Sequence, residues 1–294
     1  MSGAAAVARY TLVELSRRRV LLVFFVIGAV GMALLGIGLK LLYQVLSSST
    51  NSFGTNTQGD PAVFNSYIEL LFVIYLVQAL SIFALLLAYG IGMTAIYHDL
   101  ESGSAVSILS KPVSRFAFAI GKIAAAVAGL LVIVGLLAIE ARIVMLLFGG
   151  GLESALTGQI LATVANAMVI MLIVLALSAW LNNILAAVIT FIYYNVITGV
   201  IAFIHGLADS GVLGNDIVRN VFDILYWLVP HQLVSSAVRE LARRQIELAG
   251  SAAANDAALA SIPQASGAGD ILWWGFNVVL LGAIVYWAVR RRQV

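Results

Sequence analysis

The chain has 294 residues, of which 62% are hydrophobic and only 10% are charged, whereas soluble domains have roughly 45–50% apolar and about 25% charged residues. A water-soluble fold of this length cannot bury so much apolar surface, so the composition predicts an integral membrane protein. The formal net charge of +2 is too small to indicate nucleic-acid binding, and the absence of cysteine excludes disulfides, thiolate catalysis and cysteine-ligated metals.

Residues 4–19 predict an amphipathic helix on the membrane surface before the first span. Ala8, Leu12 and Leu15 follow i, i+4, i+7 spacing and would form its apolar face. We interpret this segment either as a simple topological anchor or as a mechanical elbow.

Long apolar runs predict an all-α fold with six transmembrane helices. The runs are uninterrupted, which suits helices better than the alternating strands of a barrel. The first is longer than the apolar core of a cleaved signal peptide, so we expect it to remain as a span. The predicted spans are 20–42, 68–96, 123–148, 159–181, 184–205 and 271–289.

The distribution of lysine and arginine predicts that both termini are cytoplasmic. Basic residues precede the first span, lie in the loop between the second and third spans and follow the last span, whereas the short loops 43–67 and 149–158 carry none. The residues that set this orientation are Arg9, Arg17, Arg18, Arg19, Lys111, Arg115, Lys122, Arg290, Arg291 and Arg292.

The loop over residues 98–116 predicts a short cytoplasmic helix with an apolar face. Ala105, Ile108 and Leu109 share that face at i, i+3, i+4 spacing, and Pro112 cannot continue the helix. An exposed apolar face on so short a helix predicts docking, either within the chain or into a groove of a partner.

Few polar groups lie within the predicted spans. Glu140 and Arg142 are two residues apart near a span end, so they point to different faces; they indicate interfacial anchoring, interhelical bonding or a substrate pathway. Asn166 and Asn195 lie deeper and favour interhelical hydrogen bonds over ligand binding.

One face of the third predicted span is lined by small residues. Gly121, Ala125 and Gly129 are spaced by four residues, which permits close contact with another helix.

The extracytoplasmic segment 206–270 has two parts. Residues 217–248 are amphipathic and interrupted by Pro230, which predicts two helices on the membrane surface or packed over the spans. Residues 249–269 are small and polar, as is typical of a flexible linker.

The motifs of soluble enzymes are absent from the sequence. It contains no G-x-x-x-x-G-K-[ST] loop, so any ATP that drives this protein must be hydrolysed by another polypeptide. His98, His205 and His231 stand far apart without the spacing of metal ligands. We therefore predict no catalytic residue, bound cofactor or metal in this chain.

The loop also carries a family resemblance. The pattern E-x-G-S, L-x-x-P-V-S-R and G-K resembles the signature of type-2 ATP-binding-cassette (ABC) permeases, in which E-x-G-T, P-x-[ST]-R and G-K lie between spans two and three. Ser104 replaces the threonine and keeps a hydroxyl. The matching residues are Glu101, Gly103, Ser104, Leu109, Pro112, Val113, Ser114, Arg115, Gly121 and Lys122.

The resemblance implies that residues 98–116 contain a coupling helix received by a separate ATPase subunit. Its contact residues would be Glu101, Gly103, Ser104, Ala105, Ile108, Leu109, Pro112 and Arg115. Two permeases, expected as a homodimer, and two ATPases carrying ATP and magnesium would form an exporter in the cytoplasmic membrane of a prokaryote, with spans one, two and five at the permease–permease interface.

Two alternatives remain open at the level of the sequence. The ATPase cycle can drive mechanotransmission to an extracytoplasmic partner through 206–270 without transport. Alternatively, the chain is an ATP-independent channel or membrane scaffold, although no polar pattern typical of an ion-lining surface is present.

Overall fold

The structure is a computed structural model that describes residues 3–17, 19–50, 61–96, 114–148, 153–209, 216–248 and 264–291. Within these ranges the protein is built from helices, turns and short connections, and contains no strand. The predicted all-α class is confirmed for the described part of the chain.

Ten α-helices, in chain order, make up the described part of the fold. A π-helical segment, Phe191–Ile197, joins α6 to α7 without a break. The helices are α1 Gly3–Ser16, α2 Arg19–Thr50, α3 Pro61–Ala95, α4 Arg115–Phe148, α5 Glu153–Ser178, α6 Asn183–Thr190, α7 Thr198–Asp209, α8 Asp216–Leu228, α9 Ser236–Leu248 and α10 Ala268–Arg291.

Six helical segments are long and apolar enough to cross a membrane, which confirms their predicted number. Each coincides with a predicted span, but several helices continue beyond the apolar run: α3 begins at Pro61 and α4 at Arg115. The six segments are Leu21–Leu41, Phe72–Ala95, Arg115–Leu147, Thr157–Ser178, Asn183–Asp209 and Ala268–Arg291.

The parallel helices α3 and α5 form the centre of the bundle. Their close approach depends on Gly92, because a Cβ at this position would lie 2.8 Å from Val174 Cβ and 3.0 Å from the carbonyl oxygen of Met171. The core around this pair includes the fully buried Leu80 and Leu87. The remaining spanning helices surround it and expose large apolar side chains, as lipid-facing helices do.

Helix α1 packs against α4. Val7, Thr11 and Leu15 are buried, whereas Leu12 is exposed. The small-residue face of α4 receives this buried face: a Cβ on Gly121 would lie 2.8 Å from Val7 Cβ. Of the predicted apolar face, Leu15 is thus buried in this contact and Leu12 faces outward, because in lipid an apolar side chain gains as much by facing outward as by packing inward.

The two amphipathic helices predicted in 217–248 are present as α8 and α9, separated by residues 229–235. Helix α8 packs against α7, and α9 packs against α5 and α3. They therefore cover one end of the spanning bundle, which we call the α9 end. The opposite end, where α1 packs beside the start of α4 and the end of α10, is the α1 end.

Candidate functional site

Most of the predicted docking residues lie outside the described part of the chain. These are Glu101, Gly103, Ser104, Ala105, Ile108, Leu109 and Pro112. Arg115 is described, as are Ser114, Gly121 and Lys122 from the same motif. The second half of the motif therefore defines how the loop re-enters the bundle.

Ser114 and Arg115 fix the beginning of α4 to the end of α10. The side-chain oxygen of Ser114 accepts a hydrogen bond from the backbone N–H of Ala117 at 3.1 Å, which is the geometry of a helix N-cap. The guanidinium of Arg115 donates to the carbonyl oxygen of Arg290 at 2.8 Å. This bond satisfies a carbonyl in the last turn of α10, where a positive charge also meets the negative end of the helix dipole.

Gly121 and Lys122 fix α4 to α1. Because Gly121 has no side chain, the backbone of α1 can approach α4 closely at this position. A Cβ added at Gly121 would lie only 2.8 Å from the carbonyl oxygen of Ala4. The Lys122 side chain is completely buried, and its Nζ lies 3.5 Å from a carboxylate oxygen of Glu14. A buried ammonium group needs such a counter-charge because its hydration is lost.

Arg115 and Lys122 were predicted to lie in the loop, and both predictions were wrong. Helix α4 begins at Arg115, eight residues before the predicted start of the span, because Ser114 provides the cap and no helix-breaking residue follows. Lys122 is thus a residue of the helix–helix contact between α4 and α1. We call Ser114, Arg115, Gly121 and Lys122 with their contacts in α1 and α10 the loop junction.

Glu140 and Arg142 lie near the opposite end of α4. Glu140 is half-buried and Arg142 is exposed, so they occupy different faces of the helix, as their spacing predicts. Neither lines the polar cavity of the bundle described below.

Asn166 joins α5 to the connection between α8 and α9. Its amide nitrogen donates to the carbonyl oxygen of Leu233 at 2.9 Å, and its amide oxygen accepts from the backbone N–H of Leu233 at 2.8 Å. The hydroxyl of Tyr194 donates to the same oxygen at 3.3 Å. One side chain thus satisfies both backbone groups of a residue that enters the apolar bundle.

Asn195 lies in the π-helical segment and reaches α3. Its amide nitrogen donates to the Tyr89 hydroxyl at 2.9 Å. The wider turn of a π-helix displaces the residues that follow from the register of an α-helix, and such segments are frequent at functional sites. Here Tyr194 and Asn195 both point into the bundle from this segment.

Between α3, α5, the π-helical segment and residues 232–238 lies an open pocket of ≈ 200 Å³, which we call the polar cavity because hydroxyl and amide side chains interrupt its otherwise largely apolar wall. Ser81 and Thr163 share a hydrogen bond of 3.0 Å across it, and the amide nitrogen of Gln159 donates to Thr163 at 3.4 Å. Sequence reasoning missed this cavity. The signal was the i, i+4, i+7 spacing of Gln159, Thr163 and Asn166 in an otherwise apolar helix.

A second polar cluster attaches α8 to the start of α10. His231 Nε2 lies 3.0 Å from Asp270 Oδ1, and the Tyr226 hydroxyl donates to the same oxygen at 3.0 Å. The rings of Tyr226 and His231 stack with centroids 3.8 Å apart. Burial lowers the pKa of His231, and burial also raises the pKa of Tyr226, as does the nearby Asp270 carboxylate.

An acidic surface depression lies between α7 and α8. Asp209, Asp216 and Asp223 line it together with His205 and Arg219. Arg219 pairs with Asp209 at 3.1 Å, and His205 Nε2 lies 3.2 Å from Asp223 Oδ1. Within the described ranges, no group of three or more histidine, aspartate or glutamate side chains has the arrangement needed to hold a metal ion.

Compared with models of known protein families and with curated proteins, the chain matches none of them.

Proposed function

We propose that the chain is the membrane-spanning subunit of an ABC exporter and that a separate ATPase subunit drives it. The proposal is supported by the motif pattern in residues 101–122 and by six helices that can span a membrane. In this proposal both termini face the cytoplasm, the α1 end is the cytoplasmic end, and the membrane is the cytoplasmic membrane of a prokaryote.

The loop junction is the observation that carries the proposal. The loop leads directly into α4, whose first residues are bonded to α10 through Arg115 and to α1 through Gly121 and Lys122. A force on the loop would therefore act on three helices at once.

The proposed partner supplies the ATP chemistry. Ala105, Ile108 and Leu109 would enter an apolar groove on the ATPase, and Glu101 would lie near the start of the same short helix. ATP and magnesium would bind to two ATPase copies, and two copies of this chain would form the transmembrane unit as a homodimer. This chain itself would hold neither nucleotide nor metal and would carry out no catalytic step.

The double variant Ile108→Asp, Leu109→Asp tests the docking surface. Two carboxylates on the apolar face would have to be desolvated in the groove, so we expect the ATPase subunit to be lost from the purified complex. Membrane insertion should be unchanged, because neither residue lies in a span predicted from the sequence. Copurification of the ATPase with this variant at the wild-type ratio would refute the proposed docking surface.

Helix α10 favours mechanotransmission as a second candidate function. Its last turn is bonded to Arg115 at the α1 end, and its first turn holds His231 and Tyr226 through Asp270 at the α9 end. A continuous helix of 24 residues thus joins the loop junction to the helices that cover the bundle.

Deletion within 249–263 distinguishes the two functions. This segment follows α9 and precedes Ser266, whose hydroxyl accepts from the backbone N–H of Val234 at 2.9 Å. A shortened chain that still exports its cargo but no longer retains an extracytoplasmic partner would indicate that the partner binds here. If neither the full-length nor the shortened chain binds a partner, and the deletion abolishes only export, the result would argue against mechanotransmission.

A further inference from the structure

The polar cavity between α3 and α5 has a neighbouring apolar compartment. This second cavity, of ≈ 280 Å³, shares Ser81, Gln159 and Val238 with the first. Its other lining residues are the apolar Ile74, Val77 and Leu241 and the amide-bearing Gln78. Going from Ser81 to Ile74 along α3 covers seven residues, or about 10 Å of helix. The two pockets therefore adjoin and form one groove with largely apolar walls; we call the part that carries most of the hydroxyl and amide side chains the polar half and the other part the apolar half.

The side chains that line the polar half can form hydrogen bonds but carry no charge. Its polar lining consists of hydroxyl and amide side chains, and none of the lining residues in the described part of the chain is ionised at neutral pH. A charged group placed here would lose its hydration without gaining a counter-charge, which is unfavourable. The chemistry of the lining thus selects uncharged polar groups.

One hydrogen-bond acceptor in this groove has no partner among the described residues. The amide oxygen of Gln159 is buried and has no hydrogen-bond partner among the described residues, although its amide nitrogen donates to Thr163. Buried hydrogen-bond acceptors are usually satisfied, and leaving one unpaired is unfavourable because its hydration is lost. A donor from a bound molecule would satisfy it, and a hydroxyl group is an uncharged donor of suitable size.

We propose that this groove binds a neutral hydroxylated amphiphile with a single aliphatic chain, of the monoacylglycerol type. Its hydroxyl groups lie in the polar half, where one donates to Gln159, and the first part of its chain lies against Ile74, Val77 and Leu241. Tyr194 forms part of the inner wall. The inference goes beyond the proposed function, because binding requires this chain alone and no ATPase.

The test uses purified protein and a monoacylglycerol that carries a photoactivatable diazirine in its chain. We expect crosslinks in peptides that contain Ile74–Ser81 or Gln159–Thr163, competition by monoolein and no competition by dioleoylphosphatidylglycerol at the same concentration. Gln159→Leu should reduce specific labelling about 5- to 10-fold, as the loss of one hydrogen bond of about 1 kcal/mol or slightly more implies.

Two further variants keep the test decisive. Thr163→Val preserves volume and removes a hydroxyl of the polar half, so we expect the same direction of change if Gln159→Leu does not fold. Leu161→Phe is the matched control, because Leu161 lies on the exposed side of the same helix; its labelling should equal that of the wild type. Equal competition by the anionic lipid, labelling spread over lipid-facing helices, or full labelling of both groove variants would overturn the proposal.

Discussion

Replacing Gly121 by alanine should release α1 from α4. A Cβ at this position would lie 2.8 Å from the carbonyl oxygen of Ala4 and 2.8 Å from Val7 Cβ. Distances this short force one of the two backbones to move. Overpacking of this kind costs about 1–3 kcal/mol, and since each 1.4 kcal/mol is a factor of ten, the detached fraction of α1 should rise about 5- to 150-fold.

The absence of native cysteine makes this release measurable. Thr11 lies on the buried face of α1, and its hydroxyl has no hydrogen-bond partner among the described residues, so Thr11→Cys should leave the packing intact. A maleimide reagent should label Thr11→Cys slowly in the parent protein. The rate should rise by the same factor as the detached fraction when Gly121→Ala is added, provided that reattachment is faster than labelling.

Gly135 provides the matched control for this experiment. It lies in the same helix, but a Cβ there would meet no atom within 4 Å. Gly135→Ala should therefore leave the labelling rate of Thr11→Cys unchanged and slightly stabilise the helix. Equal rates for Gly121→Ala and Gly135→Ala would refute the packing of α1 on α4 described above.

Two further predictions concern the α9 end. Asn166→Leu would leave the buried N–H and carbonyl of Leu233 unpaired, so the free energy of unfolding in detergent should fall by about 2–4 kcal/mol; an unchanged denaturation midpoint would contradict this. Burial lowers the pKa of His231 below its ordinary value of 6.5. As the pH falls, His231 is therefore protonated in the unfolded chain before it is protonated in the folded protein, so the free energy of unfolding should decrease progressively below about pH 6.5. His231→Gln should show a smaller decline in melting temperature between pH 7.5 and pH 5.5, and an identical decline would exclude this contribution.

The spans were predictable because each requires only a long apolar run. The orientation of side chains within the bundle was not, since lipid and protein interior are similarly apolar. Leu12 illustrates this: it follows helical periodicity with Leu15, yet it faces outward while Thr11 is buried. The small residues of α4 were the better indicator, because only close packing of another helix benefits from a missing side chain.

The polar sites were predictable in part. Asn166 and Asn195 bond to other segments, but the bond from Tyr194 to Asn166 and the bond from Asn195 to Tyr89 depend on a π-helical segment that hydropathy does not reveal. Lys122 was misplaced because charge counting assigns a lysine to a side of the membrane and says nothing about burial. Its counter-charge, Glu14, lies over 100 residues earlier in the chain, so only the fold brings the two together.

Isolation of the chain from its native membrane tests the central claim most directly. The protein would be extracted in a mild detergent through an affinity tag, and the copurifying chains would be identified and quantified by mass spectrometry. The account predicts one ATPase subunit with a G-x-x-x-x-G-K-[ST] loop per copy of this chain, lost in the Ile108→Asp, Leu109→Asp variant. A stable preparation from the native membrane that contains no such ATPase would contradict the account.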